Sequence, residues 1–204
     1  MSTPPPTPCS PWLDTPARYG RISRILHWLT ASLVIAQFIV IISWGLLGKT
    51  ALTMQLAQIA PHGAVGLMLL VVIVIRSLWR FHQRHQRPAS EKRFTGQAAR
   101  AVHHLFYGLL ILIPGLALLR HYGRNRAFEF YSIELIPSSG REISWLMTPA
   151  DLLHGVMAWL LLALVIGHIA MVGVHQWLWK DKTLDKMTGA LTPKASGTQR
   201  TPSI

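Results

Sequence analysis

Residues 151–180 read DLLHGVMAWLLLALVIGHIAMVGVHQWLWK, with 28 uncharged residues between Asp151 and Lys180. As an α-helix that run is about 42 Å long, more than the roughly 30 Å hydrocarbon core of a bilayer, so it predicts a membrane span that extends beyond the core. Three histidines interrupt it: His154, His168 and His175. The first two are fourteen residues apart, which is about 21 Å of rise and about 40° short of four full turns. They share one helix face at two depths. A polar imidazole inside a membrane span needs a partner. It either bonds across a helix interface or ligates a metal cofactor, and haem iron accepts axial imidazole. Two same-face imidazoles at two depths point to two stacked cofactors.

The rest of the chain fits a membrane setting. It has 204 residues, half of them hydrophobic, and a mean hydropathy of +0.33, too apolar for an ordinary soluble domain. Uncharged runs at 25–48, 50–75, 101–119 and 152–179 are each near or above the length that crosses a bilayer. An all-α transmembrane four-helix bundle is therefore expected, with spans at about 22–47, 60–81, 99–120 and 151–179. The first is too long for a signal peptide and lacks its cleavage site. Residues 1–17 read as a disordered Pro-rich tail and 191–204 as a second disordered tail around one domain, 18–190.

Fifteen of the twenty Lys and Arg residues precede the first span, lie between Arg76 and Arg100, or follow from Lys180 onward; the other five are Lys49, Arg120, Arg124, Arg126 and Arg141. By the positive-inside rule both termini and the 76–100 loop are cytoplasmic. Acidic residues divide evenly between the two sides, so most of the net +12 faces the cytoplasm and its anionic lipids. This accounts for the basic pI without nucleic acid. The single Cys9 excludes a disulfide framework, and without a C-x-x-C-H sequence any haem is held noncovalently. No phosphate-binding or dinucleotide fingerprint is present.

Each remaining span carries histidine. His27 follows Arg18, Arg21 and Arg24 at the start of the first span, where it also reads as an ordinary interfacial residue. Pro61 suits the first turn of the second span and puts His62 near its outer end, with Gly63 and Gly66 leaving room for something flat or for a close helix. The third span begins with His103 and His104, places Tyr107 one turn beyond His103, and contains Pro114-Gly115 as a kink point. The long outer connection holds Arg120, Arg124 and Arg126, which read as ordinary surface, as a counter-charge to haem propionates, or as an attractant for a small anion. Alternating span direction sets His62 beside His154 on the outer side and His27 beside His168 on the inner side. Bis-histidine ligation takes one imidazole from each side of a porphyrin. His175, seven residues past His168, is a rival ligand, but pairing it with His154 separates the irons by about 31 Å, a full membrane thickness.

The segment RISRILHWLTASLVI, the Pro-His-Gly opening the second span, HHLFYGLLILIPGLAL, and H-G-x11-G-H-x6-H-x4-K-D from His154 to Asp181 followed by TLDKM resemble the bacterial cytochrome b561 family, related to the cytochrome b subunits of nickel-iron hydrogenases. The similarity spans roughly residues 18–190. It implies a four-helix bundle with two noncovalent b haems, ligated by His62 with His154 (periplasmic side) and His27 with His168 (cytoplasmic side). It also implies electron transport to membrane quinone, ubiquinone or menaquinone, and in some members an oxidoreductase activity that oxidises superoxide at the periplasmic face.

On that footing the expected function is electron transfer between a periplasmic-side donor, superoxide or a periplasmic redox protein, and quinone. Arg120, Arg124 and Arg126 would steer the anion, and His175 with His103 would serve the quinone and its protons. The sequence departs from the family pattern in its paired His103-His104 and its arginine-rich outer loop. Two rival functions remain at this point: a haem-bearing anchor subunit for a dehydrogenase or hydrogenase, and a haem-free transporter relaying protons through histidines.

Overall fold

Span-length apolar runs punctuated by Gly, Pro and Arg produce long helices joined by short connections. The computed structural model describes residues 10–88, 94–181 and 183–189. Helices α1 (Arg21–Leu47), α3 (His62–His82), α4 (Phe94–Gly123) and α5 (Ser144–Gly173) form the bundle, with a short α2 (Ala51–Ile59) between the first two and α6 (Thr183–Thr188) after the last. Four stretches, 21–47, 51–82, 95–123 and 144–179, are long and apolar enough to cross a membrane. The fold is all-α apart from a two-stranded hairpin, β1 (Phe128–Phe130) with β2 (Ile133–Ile136).

The core is a column of Val34, Leu69, Ile73, Leu109, Leu110, Ile113 and Leu161 drawn from all four long helices. Ile35, Ile39, Val71, Ile75, Leu112, Trp159 and Ile166 point outward. Such a surface would aggregate in water, but lipid tails are as apolar as these side chains. Packing is closest between α4 and α5, then between α1 and α3 and between α3 and α4. Few close backbone approaches join α5 to α1 or α3, so a seam runs between α5 and that pair. Both histidine pairs lie on it.

Local chemistry shapes the ends. Ahead of the span expected from about residue 60, Ala51–Ile59 makes a separate helix, started by Thr50 and Thr53 capping each other's backbone N–H groups. Pro61 then caps α3. Pro114 and Pro149 both lie inside continuous helices. At the far end of α4 a Cβ on Gly123 would come 3.0 Å from the Ile143 carbonyl oxygen and from the Leu146 and Met147 side chains, so this glycine lets α5 start hard against α4. The outer connection is more ordered than its sequence indicated. Tyr131 and Ser132 take positive φ angles of 45° and 72°, the geometry of a two-residue hairpin turn. Phe128 is buried at its root.

The Pro-rich tail expected over 1–17 needs correction from Ser10 onward; residues 1–9 and the expected tail 191–204 lie outside the described residues. Asp14 is 2% exposed and accepts hydrogen bonds from Gly20 N at 2.8 Å, Ser23 Oγ at 2.9 Å and Arg87 Nε at 2.9 Å. Trp79 Nε1 donates to the same Ser23 hydroxyl at 3.0 Å. A buried carboxylate with three donors fixes the segment against α1 and the end of α3, which composition could not reveal. Tyr19 sits within this knot, and burial raises its phenol pKa from the ordinary 10.0 despite the opposing Arg87 charge. Asp14→Ala leaves those donors unmatched and is expected to cost about 3 kcal/mol. A thermal melt in detergent reads the effect as a lowered midpoint; an unchanged midpoint would contradict the knot's structural role.

Candidate cofactor site

The outer pair starts with His62, the first residue of α3. Gln37 of α1 donates from Nε2 to the His62 carbonyl oxygen at 2.9 Å and so fixes the first turn that aims the ring. The His62 and His154 ring centroids are 6.1 Å apart with planes 72° apart. His154 Nδ1 is buried and has no hydrogen-bond partner among the described residues. A cavity of about 530 Å³ opens beside the pair, lined by His62, Gly63, Gly66, His154, Arg126 and Leu161 among others, within the size range of cofactor pockets. A Cβ on Gly66 would meet Gln37 Nε2 at 3.3 Å, and one on Gly63 would meet the Phe128 ring at 3.4 Å. The two glycines keep the floor of this cavity thin.

At the inner level, His27 of α1 faces His168 of α5 with centroids 6.4 Å apart and planes at 66°. His103 of α4 is 5.9 Å from the same His168 ring and Phe106 is 5.7 Å from it. His103 Nδ1 donates to the Ala99 carbonyl at 2.6 Å, which leaves Nε2 as its free lone pair. His27 differs: Arg76 Nη2 lies 2.9 Å from its Nδ1. Arginine can only donate, so in this arrangement His27 Nδ1 accepts.

These donor sets suit a macrocycle-bound metal. No group of three or more His, Cys, Asp or Glu side chains among the described residues is placed to hold an ion unaided; the imidazoles come in facing pairs. A metal–imidazole bond of about 2 Å, with the ring centre about 1.1 Å behind its nitrogen, puts two imidazoles on opposite sides of one iron about 6 Å apart, centroid to centroid. The two pairs, at 6.1 and 6.4 Å, match that separation. The residues fit a bis-imidazole haem at each level.

The other expected site residues divide. Arg120 and Arg124 both pair with Asp151 of α5, so two of the three arginines expected to steer an anion share a carboxylate. Arg126 lines the cavity with no ion pair among the described residues. His121, which the sequence gave no reason to single out, also lines it and donates from Nε2 to the Ala127 carbonyl at 2.8 Å.

His175 falls in a π-helical turn, Val174–Trp179, that ends in left-handed Lys180. Its Nδ1 bonds Asp181 Oδ2 and its ring meets Trp179 edge-on at 4.7 Å. Partial burial tends to raise the Asp181 pKa, but hydrogen bonds from Thr183 and His175 prevail and hold it below the ordinary 3.8. No ring contact or hydrogen bond joins His103 to His175 among the described residues. Arg76, Asp181 and His121 are among the residues to which reading the sequence gave no role: Arg76 looked like a span terminus, and Asp181 entered only as the last residue of the H-G-x11-G-H-x6-H-x4-K-D pattern.

Comparison with known proteins bears on the same residues. Positions 18–190 match the family model described as prokaryotic cytochrome b561. Cytochrome b561 homolog 2 of Escherichia coli (strain K12) is 31% identical over 183 residues, an alignment covering 86% of this chain and 94% of that protein.

Proposed function

The chain belongs to the prokaryotic cytochrome b561 family, a membrane cytochrome b with an electron-transfer role, and from that premise we propose that it carries electrons between two b haems at opposite levels of one bundle. His62 and His154 hold the outer haem; His27 and His168 hold the inner one. The observation that carries this reading is the repetition of one geometry, facing imidazoles with centroids about 6 Å apart, at both ends of the seam beside α5. When bound, haem b supplies reversible one-electron chemistry in a low-dielectric interior. The protein's own groups do the rest. Gly63 and Gly66 line the cavity beside His62, where a Cβ would press on the Phe128 ring or on Gln37 Nε2, and Gln37 holds the turn that aims His62.

The His62–His154 pair lies toward the periplasm and both termini toward the cytoplasm, as the distribution of Lys and Arg supports. The electron donor on the outer side is superoxide. Three arginines against Asp151 leave a net positive rim at the cavity, which draws a small anion and does so less at high salt. The acceptor on the inner side is membrane quinone. Two superoxide ions give up two electrons and leave as dioxygen, and the quinone takes two electrons and two protons to become quinol. His175 passes the protons, since its ring is part-exposed near the end of the last span and its Nδ1 is bonded to Asp181. His103, on the same inner level as His168, borders the quinone.

Stopped-flow mixing with superoxide tests the reading. Fast haem reduction, accelerated turnover on adding quinone, and a rate that falls as salt rises are expected. Absence of fast reduction in a protein that contains both haems would move the function to a haem-bearing anchor that takes electrons from a protein partner.

A further inference from the structure

Arg76 lies six residues before the end of α3, about 9 Å of helix inside the span, where an unpaired guanidinium is costly. Its Nη2 donates to His27 Nδ1 at 2.9 Å, and its guanidinium lies 5.5 Å from the centroid of the Tyr107 ring. Arg80, one turn nearer the surface, stacks on the same ring at 5.0 Å. Among the described residues the ion pairs go elsewhere: Asp14 to Arg87, Asp151 to Arg120 and Arg124, and Asp181 to His175. Among the described residues the positive charge beside His27 therefore has an imidazole and the Tyr107 side chain, through its ring and its hydroxyl, as partners, and no carboxylate.

The contact with His27 is also incompatible with ligation. A neutral imidazole that binds iron through Nε2 keeps its proton on Nδ1, and a protonated Nδ1 has no lone pair for an arginine that can only donate. Loading the inner site must then release Arg76 from His27, and the released guanidinium needs an anion at the same depth. The incoming group brings one, since haem b carries two propionate carboxylates, and an Arg–carboxylate pair is the strong, bidentate form of such a contact.

We propose that Arg76 is the propionate-binding residue of the inner haem, exchanging its hydrogen bond to His27 for an ion pair with a haem carboxylate as that haem binds. This rests on the assignment of His27 and His168 to a haem. The exchange leaves His27 Nδ1 free to carry its proton and removes an uncompensated charge from the membrane. It also keeps one positive charge near the inner iron, where it favours the reduced state.

The test uses the purified holoprotein in neutral-lipid nanodiscs, with haem content and redox titration as readouts. Arg76→Gln is expected to keep two haems and to shift one reduction equilibrium at least about tenfold toward the oxidised form, about 59 mV for one electron. Arg76→Lys, which keeps the charge, should titrate close to wild type. Should Arg76→Gln lose the inner haem, Arg76→Lys carries the test: a retained haem at near wild-type potential supports the proposal, and a lost or shifted one overturns it. Two haems at wild-type potentials in Arg76→Gln would also overturn it. Replacing the haem by its dimethyl ester, which has no carboxylate to offer, should weaken retention of the inner haem in wild type and leave retention in Arg76→Gln unchanged. Inner-haem retention in wild type that the ester does not weaken, or a difference between wild type and Arg76→Gln that appears only in anionic-lipid nanodiscs, assigns the anion to a lipid headgroup and sinks the proposal. If wild type itself lacks a haem that depends on His27 and His168, it is the parent reading that fails.

Discussion

His154→Ala is expected to lower the haem content of the purified protein from two per chain to one and to remove one component from the reduced-minus-oxidised spectrum. The imidazole deleted is half of the outer pair, 6.1 Å from His62. No second histidine ring contacts His62 among the described residues; His121 lines the same cavity but is held by the Ala127 carbonyl through Nε2 and by the Phe128 ring, and is not paired with His62. Changing residues that merely support a metal ligand costs about 10–100-fold in affinity; deleting a ligand outright should weaken that haem by more than about 100-fold. The helix itself should tolerate the change, because alanine is the best helix former. A variant that retains both haems at wild-type occupancy would show that His154 is not a ligand.

His168→Ala is expected to remove the other component and leave the outer haem intact. The inner level is richer in donors than the outer one, since His103 lies 5.9 Å from His168 while His27 lies 6.4 Å away. Either neighbour has the right separation to be the second ligand. His168 is common to both arrangements, so its loss is decisive for the inner haem whichever partner is used. Single replacements then separate the partners. His27→Ala should lose the inner haem as fully as His168→Ala, whereas His103→Ala should keep both haems and slow electron delivery to quinone. The reverse pattern would transfer the ligand role to His103.

Much of this arrangement could be read from sequence because membranes simplify the problem. A span must be helical, so the fourteen-residue interval between His154 and His168 translates directly into one face and two depths. Alternating direction then assigns neighbours, and the structure brings His62 to His154 and His27 to His168.

What escaped the sequence depends on contacts between distant segments or on loop geometry. Asp14 lies in a Pro-rich stretch, and only its approach to Arg87, seventy-three positions away, turns it into a fixed point. The hairpin at 128–136 requires two consecutive positive φ angles at Tyr131 and Ser132, residues with no glycine or asparagine to announce them. The pairing of Arg120 and Arg124 with Asp151 joins two helices across the outer loop. Arg76 offered a faint signal: it is the first charge after the uncharged run 50–75, a full turn before Arg80, too early to be a simple span terminus.

Imidazoles that meet two by two around iron at both levels of the bundle leave a signature in the unmutated protein. Haem per chain in the purified wild type, measured together with electron paramagnetic resonance of the oxidised state, is expected to come to two b haems, each giving the low-spin signal of a bis-imidazole iron. One haem, none, or a high-spin centre with an open axial position would rule the pairing out.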